Sequence, residues 1–420
     1  MSLLIKGGRI VDPASGRDEI GDVFIDKGRI AEKKGKADET IDAKGLVVAP
    51  GLIDLAARLR EPGQEYKATL ASEMDAAVAG GVTSLACPPD THPPLDEPGL
   101  VDMLRRRAKA LSRARAYPVG ALTVKLAGER LAEMSVLAEA GCVAFSQANV
   151  PIADTQVLWR ALQYAATFGY PVWLRAEDRW LSREGVAHDG EMATRLGLAG
   201  IPAFTETTAL ATMLQLVGAT GARVHFCRLS TAAAVDMMRA AKKEKLPVTC
   251  DVGIHYVHLS ETDLGYYDSH CRLDPPLRSQ RDREALAAGL ADGTIDCVVS
   301  DHAPVDEDQK QLPFAEAETG ATGLELLLPL ALKWGAGRKL SLVKTLARVT
   351  SDPARILGVQ SGRIAPGAPA DLVLFDPEES WRVLPGALKS QGKNTPFLGY
   401  ELAGRVHETI VAGSVVYRKQ

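Results

Sequence analysis

The sequence predicts an α/β fold: a (β/α)8 TIM-like barrel with a small β domain built from both chain termini. Three observations carry this. Eight short apolar runs alternate with helical stretches between residues 52 and 299. Both ends of the chain are β-rich instead. At 420 residues, the chain has room for a barrel and one satellite domain.

Near the N-terminus, residues 3–11, 22–31 and 40–48 read as strands broken by Gly, Pro and Asp. The barrel strands are expected at 52–55, 82–87, 116–122, 142–145, 170–174, 222–227, 247–252 and 295–299. Residues 154–168 (DTQVLWRALQYAATF) place apolar residues at helical spacing. Residues 231–245 (TAAAVDMMRAAKKEK) open on a threonine suited to cap a helix, and their KKEK run reads as a solvated helix end. Toward the C-terminus, 371–375, 381–384 and 408–417 read as strands again. The composite β domain is thus expected over 1–50 plus 359–420, and the barrel over 51–358.

Composition excludes several classes. Hydrophobic residues make up 46% and charged residues 24%, as in ordinary globular proteins. The formal charge of −4 gives no global pull toward nucleic acid or membrane, so neither is expected as a partner. The six cysteines form no CxxC pair, and Cys87, Cys142, Cys227, Cys250 and Cys297, in or beside barrel strands, are expected to be small buried hydrophobes. No apolar run reaches the length of about 18 residues that a membrane span needs, and the first residues lack a signal-peptide core. A cytoplasmic location is the expectation.

A barrel enzyme keeps its chemistry at the C-terminal ends of its strands. Here those ends hold Asp54 to Gly63, then Arg175-Ala176-Glu177-Asp178, then His225 to Thr231, then Ser300-Asp301-His302-Ala303-Pro304. They are rich in arginine rather than histidine.

These segments carry a resemblance. GLIDLAARLREPG (51–63), TRLGLAGIP (194–202), DPPLRS (274–279), DGTIDCVVSDHAP (292–304), SDPARILG (351–358) and GRIAPGAPADLVLFDP (362–377) resemble dihydroorotases of the amidohydrolase superfamily along nearly the whole chain. The resemblance implies a zinc site, and here the sequence departs from the family. Ala56 and Arg58 stand where active members have the first-strand histidine pair. Arg175 and Arg228 replace the histidines after strands five and six. The strand-four segment, Phe145 to Asn149, has no lysine or carboxylate, and only Asp301 stands as in the family.

A catalytic zinc needs about three lone-pair ligands and an open site for water. Alanine donates nothing, and arginine has only N–H donors and stays protonated. The expectation is therefore no metal, no cofactor, no catalytic residue and no enzyme, with Ala56, Arg58, Arg175, Arg228 and Asp301 as a degenerate metal site. Arg60 stands where relatives hold a substrate carboxylate, while Asp90 and His270 replace family asparagines. The arginines have two readings: structural pairing with Asp301, Glu177 or Asp251, or an anion pocket of Arg58, Arg60, Arg175 and Arg228. His255, His258 and His302 are expected to be packed polar residues.

The resemblance also implies a role. Dihydroorotase-like chains that have lost the zinc histidines act in bacterial pyrimidine synthesis as structural subunits. They assemble, as homodimers within a hetero-dodecamer, with the aspartate carbamoyltransferase catalytic chain. The alternatives are a divergent metal-independent amidohydrolase using Asp301 as base, and an anion-sensing subunit using the arginine-rich mouth.

Overall fold

The computed structural model describes residues 2–32, 35 and 37–419; Met1 and Gln420, at the ends of the expected β domain, lie outside the described residues. Eight parallel strands form the barrel: Leu52–Asp54, Val82–Cys87, Arg115–Ala121, Ala144–Ser146, Val172–Leu174, Val224–Phe226, Val248–Gly253 and Cys297–Val299. Each overlaps an apolar run expected from the sequence. These strands are almost wholly buried, which explains why they read as continuous apolar runs rather than alternating ones.

The ring closes at its mouth. Just beyond the first and last strands, Ala57 and His302 form a parallel bridge, with Arg58 N–H donating to the His302 carbonyl at 2.9 Å. The Asp54 carboxylate reinforces the joint by accepting from Ser300 N–H at 3.0 Å and from the Ser300 hydroxyl. Desolvation raises the Asp54 pKa, with the Ser300 hydrogen bonds opposing it.

Helices pack outside the strands, and their ends follow local chemistry. Thr155–Phe168 starts where the Asp154 side chain accepts Gln156 and Val157 N–H, and stops at Gly169, whose φ of 69° favours glycine. Ala232–Lys243 is capped by Thr231, which accepts Ala234 N–H at 3.2 Å.

A second sheet takes strands from both ends of the chain: Ser2–Asp12, Arg17–Asp26, Arg29–Ile30, Glu39–Asp42 and Val47–Pro50 with Leu372–Arg382, Glu401–Val411 and Ser414–Arg418. It has its own core, including Leu3, Ile5, Ile10, Ile25, Leu372 and Ile410. The expected runs 371–375 and 381–384 are one strand whose register shifts between Asp376 and Ser380. The expected strand 408–417 is two, folded at Ala412-Gly413, where φ is 49° and 79°. Among the described residues, no helix is long and apolar enough to cross a membrane.

Candidate functional site at the barrel mouth

Strand ends deliver the site. Arg58 and Arg60 follow the first strand, Arg175 the fifth, Arg228 the sixth and Asp301 the eighth. Arg60, Ala148, Arg228 and Asp301 all adopt positive φ, between 50° and 61° for the first three and 46° for Asp301. Such conformations strain L-residues by about 1–2 kcal/mol each and cluster at functional sites.

The structure brings the predicted residues together as one ion network. Arg58 Nη1 and Arg228 Nη1 reach the same atom, Asp301 Oδ1, at 3.4 and 3.2 Å. Arg58 Nε pairs with Asp90 Oδ2 at 2.8 Å. Asn149 Oδ1 accepts from Arg58 Nη2 at 2.9 Å and also from Arg228 Nη2. Arg175 forks onto Asp274, with Nη1 to Oδ2 at 2.7 Å and Nη2 to Oδ1 at 2.5 Å, and also contacts Glu177. Arg228 Nη1 donates to the Asp274 carbonyl at 3.2 Å.

The expected pairing with Asp301 and Glu177 is therefore present. Asp251 meets Arg228 only through the backbone N–H, at 2.6 Å. Asp90, which replaces a family asparagine, is neutralised by Arg58 and joined by Asp274, which the sequence reading did not single out. Burial works against the charged forms of Asp90 and Asp274, but Arg58 beside Asp90 and Arg175 beside Asp274 hold both carboxyls below the usual range. Burial raises Asp301, with Arg228 and Arg58 opposing it.

Arg60 stands apart. Its Nε donates to the Pro304 carbonyl at 2.8 Å and its Nη1 to Gln64 at 3.3 Å, and Arg60 lines a cavity of about 100 Å³ with Arg58, Arg228, Asn149 and Asp301. Ligand pockets more often measure about 300–1,000 Å³. Ala56 lines a separate pocket of about 30 Å³ with Arg58, Trp173, Cys227 and Arg228. His270 lies outside both, bonded to Asp268 at 3.0 Å.

Among the described residues, His255, His258 and His302 belong to no metal-capable donor group. His255 is buried and stacked on Phe397 at 5.7 Å, and burial pushes its pKa down to about 3. His258 donates through Nε2 to the Leu330 carbonyl at 2.9 Å and is pushed down to about 4, again mainly by burial. His302 accepts Gly323 N–H at Nδ1, so Nε2–H donates to Glu73 at 2.7 Å.

The zinc that the resemblance implies does not fit positions 56, 58, 175 and 228, whose side chains offer no lone pair to a cation. A different donor group lies beside the mouth: His225, Cys227 and Asp251 bring ligand atoms within 4.8 Å of one another. His225 is now held by Asp251 and Thr249, both at 2.8 Å. Strand alternation gave the missed signal, since residues 225 and 227 share a face beside the next strand.

Comparison with known proteins places the chain. A family model described as dihydro-orotase-like matches residues 45–234, and one described as amidohydrolase family matches 185–417. A dihydroorotase-like protein from Pseudomonas aeruginosa is 43% identical, covering 99% of this chain and 100% of its own. A protein named dihydroorotase from Trichlorobacter lovleyi is 42% identical, covering 99% of each. The L-hydantoinase (dihydropyrimidinase) from Arthrobacter aurescens shares the fold, with a TM-score of 0.88 at 24% identity over 99% of this chain and 96% of its own.

These relatives correct one expectation, that the chain is no enzyme. Full-length relatives at 41–43% identity from Trichlorobacter, Geobacter and Syntrophotalea bear an enzyme's name. Physically, the mouth keeps Asp301 and has metal-capable donors at its side, so losing lone-pair donors at four positions does not put the chain outside the enzymes. The chain belongs to the dihydroorotase-like branch of the amidohydrolase family.

Proposed function

We propose that this chain is a dihydroorotase-family subunit that assembles with the aspartate carbamoyltransferase catalytic chain in pyrimidine synthesis. It acts there as a homodimeric brace within a hetero-dodecamer. The observation that carries the proposal is the filled mouth. Three guanidiniums, on Arg58, Arg175 and Arg228, pair with four carboxylates, on Asp90, Asp274, Asp301 and Glu177, and Arg60 stands beside them. Paired charges packed into a closed barrel make a body that transmits force between subunits rather than yielding.

A second reading is favoured by Asp301. Its carboxyl is raised by burial and flanked by two guanidiniums, a setting that suits a general base beside oxyanion-stabilising donors. On this reading the mouth itself turns over a small cyclic amide without zinc at the family positions.

Co-expression tests both. The chain is purified alone and with the carbamoyltransferase catalytic chain of the same organism, then sized by chromatography with mass detection. Carbamoyltransferase activity, dihydroorotate hydrolysis and zinc are measured on the same fractions. One large complex, with carbamoyltransferase activity only when both chains are present, is the expected result. Two separate peaks with full carbamoyltransferase activity in the partner alone would refute the assembly role. Dihydroorotate hydrolysis abolished by Asp301→Asn would support the second reading, and turnover indifferent to that change would sink it.

A further inference from the structure

Opposite the mouth, where the barrel strands begin, the molecule carries a basic groove. Residues 105–115 read RRRAKALSRAR, six basic residues and no acidic one, in a chain of net charge −4. They end the helix Pro98–Leu111 and start the strand Arg115–Ala121. Three cavities run together along this seam, of about 530, 770 and 470 Å³. The first and second share Arg113 and Val416; the second and third share Arg115, Tyr117 and Ala412.

Basic residues contribute five, five and three side chains to the three cavities, eleven in all because Arg113 and Arg115 are shared. Three acids, Asp75, Asp102 and Glu325, line the cavities with them, and Asp371, Glu379 and Glu408 pair with Arg115, Lys419 and Arg418 from beside the channel, so the cationic surplus is carried by Arg105, Lys109, Lys389 and Arg405. The lining acids are already engaged: Asp75 pairs with Arg113 at 2.6 Å, and Glu325 accepts the Lys389 and Ser390 N–H groups. Arg106 is 83% exposed and reaches Asp102 only at 3.7 Å, and Lys109 is exposed. A surplus of exposed cations in one channel repels itself and attracts an anion.

The channel has a second property. Ser414, Val416 and Arg418 line it, and they belong to Ser414–Arg418, the end strand of the terminal sheet, which among the described residues pairs on one side only. An end strand offers unpaired backbone groups to an incoming extended chain. A free phosphate chain would use the cations but not the strand edge; an acidic peptide uses both.

We propose that this groove binds an extended acidic segment of a partner protein, which lies along Ser414–Arg418 and sets its carboxylates against Arg105, Arg106, Lys109 and Arg405. The proposal goes beyond the assembly role and does not need the partner to be the carbamoyltransferase chain.

The test uses the whole chain and a fluorescein-labelled peptide of alternating glutamate and valine, read by anisotropy. The expected result is saturable binding that weakens with salt and falls at least about tenfold in the variant Arg106→Glu/Lys109→Glu, whose exposed changes leave the circular dichroism unaltered. A peptide N-methylated at alternate amides is expected to bind more weakly, because it cannot complete the ladder. No binding, equal binding by the variant, or equal binding by the N-methylated peptide would overturn the proposal. Tighter binding of inorganic tripolyphosphate than of the peptide would also overturn it, and would make the groove a phosphate site. Running the variant in the co-expression assay separates the two ideas. If the wild-type chains fail to co-elute, the assembly role falls while the peptide result still decides the groove.

Discussion

Replacing Asp301 with asparagine keeps the shape of the mouth and removes its central charge. Asparagine tolerates the positive φ of 46° at this position, so the change is electrostatic rather than conformational. Asp301 Oδ1 lies 3.4 Å from Arg58 Nη1 and 3.2 Å from Arg228 Nη1, and the three side chains are only 10%, 8% and 5% exposed. At an effective dielectric near 20, each contact is worth about 5 kcal/mol of attraction, much of it offset by desolvation. Deleting one partner of a buried pair costs about 3–5 kcal/mol, because the remaining charge stays buried without its counter-ion. Here Arg228 would lose the carboxylate it pairs with and face Arg58 across Asn149, while Arg58 keeps Asp90. The expected loss for Asp301→Asn is therefore about 3–5 kcal/mol, read from urea unfolding at pH 7.5. Arg228→Met in the same background should return part of that loss, with a coupling energy of about 1–3 kcal/mol in the double-mutant cycle. If Asp301→Asn stays within about 0.5 kcal/mol of wild type, the mouth charges are solvated and the network does not hold the barrel.

Other tests follow from the same structure. Asn149→Leu removes the oxygen that both Arg58 and Arg228 donate to, and should cost about 1–3 kcal/mol by urea unfolding, with an unchanged midpoint counting against a shared acceptor. His255 and His258 are held neutral, with pKa values pushed down to about 3 and about 4. Below the ordinary histidine value of about 6.5 the unfolded chain binds protons that the folded chain refuses, so stability falls as pH drops from about 6.5 toward 4, by about 2 kcal/mol per imidazole at pH 5. The double variant His255→Leu/His258→Leu should remove that slope, and the difference from wild type isolates it from Asp54, Glu206 and Asp301, whose burial acts in the opposite sense. Identical slopes would mean the rings are hydrated. Burial pushes the thiols of Cys87, Cys142 and Cys271 up to about 12, and those of Cys227, Cys250 and Cys297 upward as well. At pH 8 a thiol reagent should therefore label none of the six within minutes until urea is added, and fast native labelling of any one would place it nearer the surface than the fold does.

The barrel was legible because its strands are buried on both faces, so each appears as an apolar run between turn residues. The cap at Thr231 was legible for a local reason, since its hydroxyl reaches the N–H three residues on. The fold at Ala412-Gly413 was not, because an alanine at φ 49° goes against its own preference and is imposed by the pairing of Glu401–Val411 with Ser414–Arg418. The unbroken strand Leu372–Arg382 was hidden by Pro377 and the charged run beside it, which sit at a register shift where a proline is tolerated.

The site divides along the same line. Its arginines announced themselves because each stands directly after a strand, where the barrel aims side chains at one point. Their partners did not. Asp274 follows a loop more than twenty residues beyond the seventh strand, and nothing local ties it to Arg175, although the two form the tightest fork in the mouth. Asn149 sits after the fourth strand and was read only as the absence of a carboxylate, yet its one oxygen joins Arg58 to Arg228. A lost ligand leaves a mark in the sequence at its own position. The groups that neutralise its replacement can come from anywhere the fold brings near, so the loss of four lone-pair donors showed what the mouth no longer holds at those positions without showing what now fills it. That asymmetry is why the inference from missing histidines to a missing activity was too strong: it counted donors at fixed positions, while His225, Cys227 and Asp251 converge beside them on neighbouring strands.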